Sequence, residues 1–271
     1  MGFKNFLIVA SKLDKAGINI TTNLSQYSNE KFKFYLIDRD ITNSQQPEDL
    51  DKYNNFDFII FASKHQSKEP TKTLSIHTPG NFLNTPPLHG GDSGKISMSS
   101  ALFLKQAFKK LRKNTKENNL DGYQVTLEAT HHGPSINKPC FFIEIGSTEN
   151  EWADRRAGFV VAKTISDIIN SYQHNPYNEI TIGIGGPHYC PNFNKLQLYS
   201  NFAISHIIPQ YCLPVTEVMI KETLSKTFEE YDLILLDWKG LGNSESRQQV
   251  INVLDKLHLR YEKIGDLNKE D

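Results

Sequence analysis

Short apolar, β-branched runs alternate along the chain with stretches of helical periodicity, and this alternation sets the expected architecture. Residues 5–10, 32–38 and 56–62 read as strands, the last apolar at nearly every position, as in a strand covered on both faces. Between the first two, residues 14–25 fit a short helix or a loop. Residues 72–77 alternate like a strand and stop at Thr78-Pro79-Gly80-Asn81; residues 123–126 alternate and run on to a break at Gly133-Pro134. Residues 140–146 form another buried strand, with Glu144 near its end. A helix capped by Ser97 or Ser99 runs to about Lys116, with Ala101, Leu104, Phe108 and Leu111 as its apolar stripe. Residues 152–171 read as one long helix, with Glu149, Glu151 and Asp154 near its positive end. Strands at 179–184, 202–208 and 231–238, a helix at 244–257 and a short strand near 260–262 complete the chain. Strands alternating with helices predict an α/β fold: a mostly parallel sheet, helices on both faces, right-handed crossovers. No repeat or low-complexity linker divides residues 1–271, so we expect a single α/β unit, with a small lobe inserted around residues 80–120. Residues 82–94, rich in Pro, Gly and Asn, are expected to form a long loop over the site.

Composition narrows this picture only slightly. A chain of 271 residues can bury a full core. The formal net charge of -1 gives no general attraction for nucleic acid, so such a partner would need a local patch. One exists: Lys105, Lys109, Lys110, Arg112, Lys113 and Lys116 fall on the helix after the long loop, where a solvated face is the plainer explanation. No apolar run approaches the ~20 residues that span a bilayer. The first apolar run, residues 6–10, is too short for a signal peptide, and the chain is expected in the cytoplasm. The three cysteines, Cys140, Cys190 and Cys212, are odd in number and far apart, which argues against a disulfide framework or zinc ribbon.

The chemistry concentrates where apolar runs end. Leu127-Glu128-Ala129-Thr130-His131-His132-Gly133-Pro134-Ser135 brings a carboxylate and two imidazoles to the end of a strand, the usual place for functional groups in open α/β sheets. The pattern recurs at His77-Thr78-Pro79-Gly80-Asn81 and Gly185-Gly186-Pro187-His188-Tyr189, and three such ends predict one assembled site. Histidine and carboxylate without paired cysteine is the donor set of a catalytic zinc. Such a site suits ester or amide hydrolysis. His131, His132, Glu144, His188 and His206 are the expected ligands. Glu128, His131, His132, Lys64 and His65 are the expected catalytic groups, with His89 a further titratable neighbour. His206, inside an apolar run, has the composition of a structural histidine. No Gly-x-Gly-x-x-Gly, Gly-Lys-Ser/Thr or Gly-x-Ser-x-Gly motif is present. Ser63, Ser135 and Cys190 are minor candidates for hydroxyl or thiol chemistry.

Four ordered stretches carry a family resemblance: Ser63-Lys64-His65-Gln66-Ser67, His77-Thr78-Pro79-Gly80-Asn81, Glu128-Ala129-Thr130-His131-His132-Gly133-Pro134 and Gly183-Ile184-Gly185-Gly186-Pro187-His188-Tyr189. Together they resemble the D-aminoacyl-tRNA deacylases of archaeal and plant type. The resemblance implies hydrolysis of the ester between a D-amino acid and the terminal ribose of tRNA, two zinc ions per subunit, and a phosphorylase/peptidyl-tRNA hydrolase-like fold. Within the matched stretches His77, Thr78, Gly80, Asn81, Gly185, Gly186 and Tyr189 are expected to touch substrate. Lys105, Lys109, Lys110 and Lys113 become expected contacts for the tRNA backbone. Lys64 and the backbone N–H groups around Gly133, Gly185 and Gly186 are expected oxyanion or phosphate partners. A monomer is favoured. Two other readings fit the same residues: a metal-dependent hydrolase of peptidyl-tRNA, peptides or N-acyl amino acids, and a non-enzymatic RNA-binding protein whose histidines are structural.

Overall fold

In the computed structural model, which describes residues 2–27, 30–68 and 70–267, every side chain of β1 (Phe6–Ser11) is buried. A strand with neighbours on both edges and layers on both faces has that pattern. β1 pairs in parallel with β2 (Phe32–Ile37) and β3 (Phe58–Lys64). β6 (Cys140–Gly146) continues the parallel run beside β3, β4 (Thr73–His77) lies antiparallel to β6, and β5 (Gln124–Leu127) is parallel to β4. The order of this six-stranded sheet is β2-β1-β3-β6-β4-β5. β7 (Glu179–Ile184), β8 (Phe202–Ile208), β9 (Leu233–Leu236) and β10 (Tyr261–Lys263) form a second, wholly parallel sheet in the order β10-β9-β7-β8.

The α/β class and the mostly parallel pairing stand as the sequence implies, but the strands divide between two sheets. β4 reverses because residues 65–72 are fewer than the dozen or so that a parallel crossover needs. The segment after β5 joins the sheets: Ala129 N donates to His188 O at 2.8 Å, and Thr130 N to Ile207 O at 3.0 Å.

α1 (Lys15–Leu24), α3 (Ala101–Glu117) and α5 (Arg155–Ser171) cover one face of the six-stranded sheet. Phe103, Phe108 and Leu111 meet Phe58, Ile76, Leu127 and Phe141 in the main core. Ser100, rather than Ser97 or Ser99, caps α3, accepting from Phe103 N. The long helix expected over 152–171 is present over Arg155–Ser171, three residues shorter at its start. α4 (Glu149–Trp152) ends, and Asp154 caps a new helix by accepting from Arg156 N and Ala157 N. α2 (Pro47–Tyr53), α6 (Pro191–Tyr199) and α7 (Glu217–Ser225), which periodicity does not announce, fill connections. α6 guards the β5 edge, where Asn194 Oδ1 accepts from Leu127 N at 2.7 Å. α7 and α8 (Ser244–Lys256) close an apolar layer on the second sheet around Ile184, Ile208, Ile234 and Leu236. Among the described residues, no helix is long and apolar enough to cross a membrane.

The second face of the six-stranded sheet starts apolar, with Leu7, Val9, Phe61 and Phe142 packed on Tyr53 and Ile136. Two residues further along β3 and β6 it becomes polar. Alternate residues on a strand share a face, so Ser63, Glu144, Ser75, His77, Thr126 and Glu128 follow on the same side, all buried.

Candidate active site and metal centre

β6 presents Glu144, β4 ends in His77, and Glu128 follows β5 with its N–H held by Ile76 O. His65 follows β3 and donates its N–H to Ile145 O at 2.9 Å. The chain then turns at His131-His132, where His132 takes φ +41°. That left-handed residue explains how two neighbours turn their rings to one centre, which an extended strand forbids. Ring centroids lie 4.1 Å apart for His77 and His131, 4.3 Å for His131 and His132, and 4.6 Å for His131 and His188. His77 also stacks on Phe142 at 5.1 Å.

The hydrogen bonds fix which ring nitrogen faces inward. Nδ1 of His131 donates to Ala129 O (2.9 Å), Nδ1 of His132 to Gly133 O (2.7 Å) and Nδ1 of His77 to Thr78 O (3.3 Å). Each Nε2 therefore keeps its lone pair, and those of His77 and His131 face Glu144 and Glu128; a carbonyl on the far ring nitrogen imposes this arrangement on metal-binding histidines. His77, His131 and His132 form one group able to hold a metal ion. His65, Glu128 and His188 form a second, and His77, Glu128 and Glu144 a third, each with ligand atoms within 4.8 Å of one another. Glu128 lies 3.1 Å from His65 Nδ1 and 3.2 Å from His188 Nε2, yet neither carboxylate oxygen receives a well-directed hydrogen bond. His77 Nε2 is likewise buried and unpartnered. Unsatisfied polar atoms at this depth cost stability unless a cation completes them, so the residues fit a bound metal.

Protonation agrees with that role. Burial alone would raise the Glu128 carboxyl, but the imidazoles of His188 and His65 outweigh it and hold the group well below its usual range. Glu144 is also lowered; burial opposes the shift, and His65 and His77 carry it. Burial, with His77 beside them, pushes His131 down and His132 down to about 4, leaving both rings neutral. Ionised carboxylates and neutral imidazoles are the forms that bind metal. His65 is the exception: burial opposes, but Glu128 and Glu144 raise it, and its Nε2 lies 2.9 Å from Tyr189 Oη.

Most of the expected residues meet here. His131, His132, Glu144 and His188 converge. His65, Glu128 and His77, expected as catalytic or substrate groups, join them as potential ligands. Lys64 lines the adjoining cleft, its Nζ 4.9 Å from the Trp152 ring. The exceptions each have a physical reason. His206 is buried away from the metal-binding groups, with Nδ1 at 3.3 Å from Thr130 Oγ1 and Nε2 at 3.2 Å from Lys226 O, so both nitrogens are engaged. Thr78 turns inward to Ser99 Oγ and Ser205 O. Gly80 donates its N–H to His131 O and His132 O, which braces the turn, and with Asn81 it lines a cleft beside the two histidines. The expected oxyanion N–H groups are already engaged: Gly133 donates to His89 O, Gly185 to Ile208 O and Gly186 to Gly240 O. Gly185 and Gly186 pack against the Asp237–Gly240 turn instead. Lys105 is buried, its three ammonium protons directed to the carbonyls of Gln197, Ser200 and Phe202 at 2.7–2.9 Å, which removes it from any tRNA contact. Lys109, Lys110 and Lys113 project from α3, on the face of the sheet opposite the cluster. Ser63 serves Asp14, and Cys190 is buried with its thiol held far above the usual range by that burial.

Two residues escaped the sequence reading. Asp14 caps α1 through Oδ1 and accepts from Ser63 Oγ and Lys64 N through Oδ2, so it fixes the strand end that carries His65. An Asp ahead of a helical stretch was the available signal. Tyr211 Oη lies 3.3 Å from His188 Nδ1, and nothing in its sequence neighbourhood marks it.

The cluster opens on a polar cleft of about 400 Å³, lined by Asp14, Asp40, Thr42, Lys64 and Gln66 as well as His131, His132 and Glu144. The family model of D-aminoacyl-tRNA deacylases matches residues 52–262, a span that holds every potential ligand. The chain belongs to the D-aminoacyl-tRNA deacylase family. Among the relatives in this family, a D-aminoacyl-tRNA deacylase of Thermococcus kodakarensis is 38% identical over 206 residues, covering 76% of this chain and 73% of its own length. One from Pyrococcus abyssi is 33% identical over 275 residues, covering 94% and 98%. A crystal structure of a conserved protein of unknown function is similar throughout: 30% identity, TM-score 0.87, 98% of this chain and 97% of that one.

Proposed function

We infer that residues 1–271 act as one catalytic unit, on a phosphorylase/peptidyl-tRNA hydrolase-like scaffold, that hydrolyses the ester between a D-amino acid and the terminal ribose of tRNA in the cytoplasm. Membership of the deacylase family supports the reaction. The observation that carries the chemistry is Glu128, a buried carboxylate whose oxygens receive no well-directed hydrogen bond, with ring nitrogens of His65, His188 and His131 at 3.1, 3.2 and 3.6 Å.

Two zinc ions suit the donor set. His77, His131 and His132 would hold one; Glu128 and His188 the other, joined by His65 once a bound cation displaces the proton that Glu128 and Glu144 favour on it; Glu144 lies within reach of His77 and His65, at 3.7 Å from each. Bound zinc supplies a water of lowered pKa and polarises a carbonyl. The protein's own groups do the rest. Lys64 offers a cation to the oxyanion or to the terminal phosphate. Tyr189 holds His65 in place through its hydroxyl. Asp40, Thr42 and Gln66 line the polar cleft with groups that match a ribose. Subunits are expected to act singly.

The test is release of D-Tyr and L-Tyr from charged tRNA, before and after chelation, with zinc added back. Release of D-Tyr alone, lost on chelation and regained with zinc, is expected. D-specific release that survives chelation removes the metal from the reading. Release of neither, with cleavage of N-acyl amino acids or peptidyl-tRNA, transfers the site to those substrates. A metal-free protein that binds tRNA without turnover is an RNA-binding module.

A further inference from the structure

A second cleft of about 330 Å³ shares His89, His131 and His132 with the first and is far less polar. Its walls include Leu83, Pro86, Pro87, Leu88 and Tyr211, and among the described residues no Lys, Arg, Asp or Glu lines it. Three of these side chains lie open to water: Leu83 is 42% exposed, Leu88 92% and Tyr211 55%. Leucines left exposed together beside a reactive cluster need a reason.

The loop that carries them is firmly placed. Asn81 Nδ2 donates to Gly90 O and Gly133 N to His89 O, each at 2.9 Å, while Asp92 N reaches Ser135 Oγ at 3.0 Å. Gly91, at φ +79°, sits so close that a Cβ there would meet Gly133 Cα at 2.9 Å. His89, beside these anchors, lines both clefts. The loop thus presents Leu83 and Leu88 at a defined distance from the His131-His132 pair rather than trailing them in solvent.

We propose that this apolar cleft receives the side chain of the D-amino acid, while the ribose and terminal phosphate lie in the polar cleft; this rests on the deacylase reading. An aminoacyl ester has a polar, anionic end and a side-chain end joined at the carbonyl. The two clefts have the same division, and the metal-binding histidines stand at their junction. The side chain goes to the apolar cleft because, among the described residues, no charged group lines it, whereas the other offers Asp40, Thr42 and Gln66 to the sugar hydroxyls and Lys64 to the phosphate. Large apolar and aromatic D-residues are then preferred, since burial of such a side chain against Leu83, Leu88 and Tyr211 strengthens binding.

The test is a Leu83→Asp/Leu88→Asp double variant, both changes at exposed positions, assayed on D-Tyr-tRNA and D-Ala-tRNA. The expected result is that kcat/KM for D-Tyr falls about tenfold more than for D-Ala, chiefly through KM. Equal losses on both substrates overturn the assignment, because the cleft then meets a part common to every substrate, such as the adenosine. No loss on either also overturns it. A second measurement is independent of turnover: methyl spectra of the wild-type protein with adenosine joined to D-tyrosine by an amide. Shifts at Leu83 and Leu88 are expected, and unmoved leucine methyls overturn the proposal. A wild-type enzyme that releases neither D-Tyr nor D-Ala sinks the deacylase reading, and the methyl spectra still decide what the cleft holds.

Discussion

The outer layer of the four-stranded sheet is apolar, with Ile184, Ile208, Ile234 and Leu236 sealed by α7 and α8. The corresponding layer of the six-stranded sheet begins with Phe61 and Phe142 and then turns to Glu144, Ser75, His77 and Glu128. Both layers are buried, but only the first is satisfied by packing alone. The second holds two carboxylates and several imidazoles at a depth where ions are expensive, a cost that the raised His65 imidazole reduces and that a bound cation would reduce further. One sheet serves stability; the other gathers groups able to hold a metal ion.

The comparison breaks most sharply at Glu128. Glu128→Gln is expected to lower ester hydrolysis about a thousandfold, several kcal/mol of lost catalysis. The zinc retained after dialysis, measured by atomic emission, should fall with it. Full zinc content and full activity in that variant would show that the polar layer is structural.

His206 sharpens the contrast, because it is equally buried but has both nitrogens engaged. Burial holds its imidazole at about 4, below the ordinary 6.5. The unfolded chain therefore takes the proton first, so this contribution is complete above about pH 6.5 and is lost as the pH falls through 4. Over that window it amounts to about 3 kcal/mol. His206→Gln should flatten the acid limb of urea-unfolding stability by that amount without changing zinc content. An unaltered limb would remove His206 from the acid response.

Asp14 probes how the polar layer is held. Asp14→Ala deletes the α1 cap and frees Lys64 N, with an expected loss of about 2 kcal/mol in stability. Activity should fall further than stability explains, since the His65 end of β3 loosens. The smallest effect is expected at α3: Lys109→Glu with Lys113→Glu should leave the salt dependence of tRNA binding nearly unchanged, because these residues stand behind the sheet. A slope reduced by about 0.9 for each lysine would mean that tRNA wraps that face.

Periodicity located most strands within a residue or two, since an apolar run bounded by Gly and Pro is a local signal. It missed α2, α6 and α7, whose short lengths carry less than three turns of pattern. It also passed over the single turn of α4 and began α5 three residues early, because an Asp cap looks like an ordinary acidic first turn. The polar site was legible as His and Glu beside strand ends. Its placement on a sheet face was present only as a hint, in the alternation of Thr73, Ser75 and His77 with Leu74 and Ile76.

The sequence by itself determined the α/β class, the family and the set of groups from which the centre is drawn, because these depend on residue type and local order. Tertiary structure decided which of them meet. Lys105 and His206 look like a surface cation and a ligand until three carbonyls surround one and Thr130 and Lys226 engage the other. His77, Glu128 and Glu144 come together only because β4 runs antiparallel to β6, setting Ser75 opposite Glu144 and His77 opposite Phe142. Strand direction and register are properties of pairing between distant segments, and no single segment encodes them.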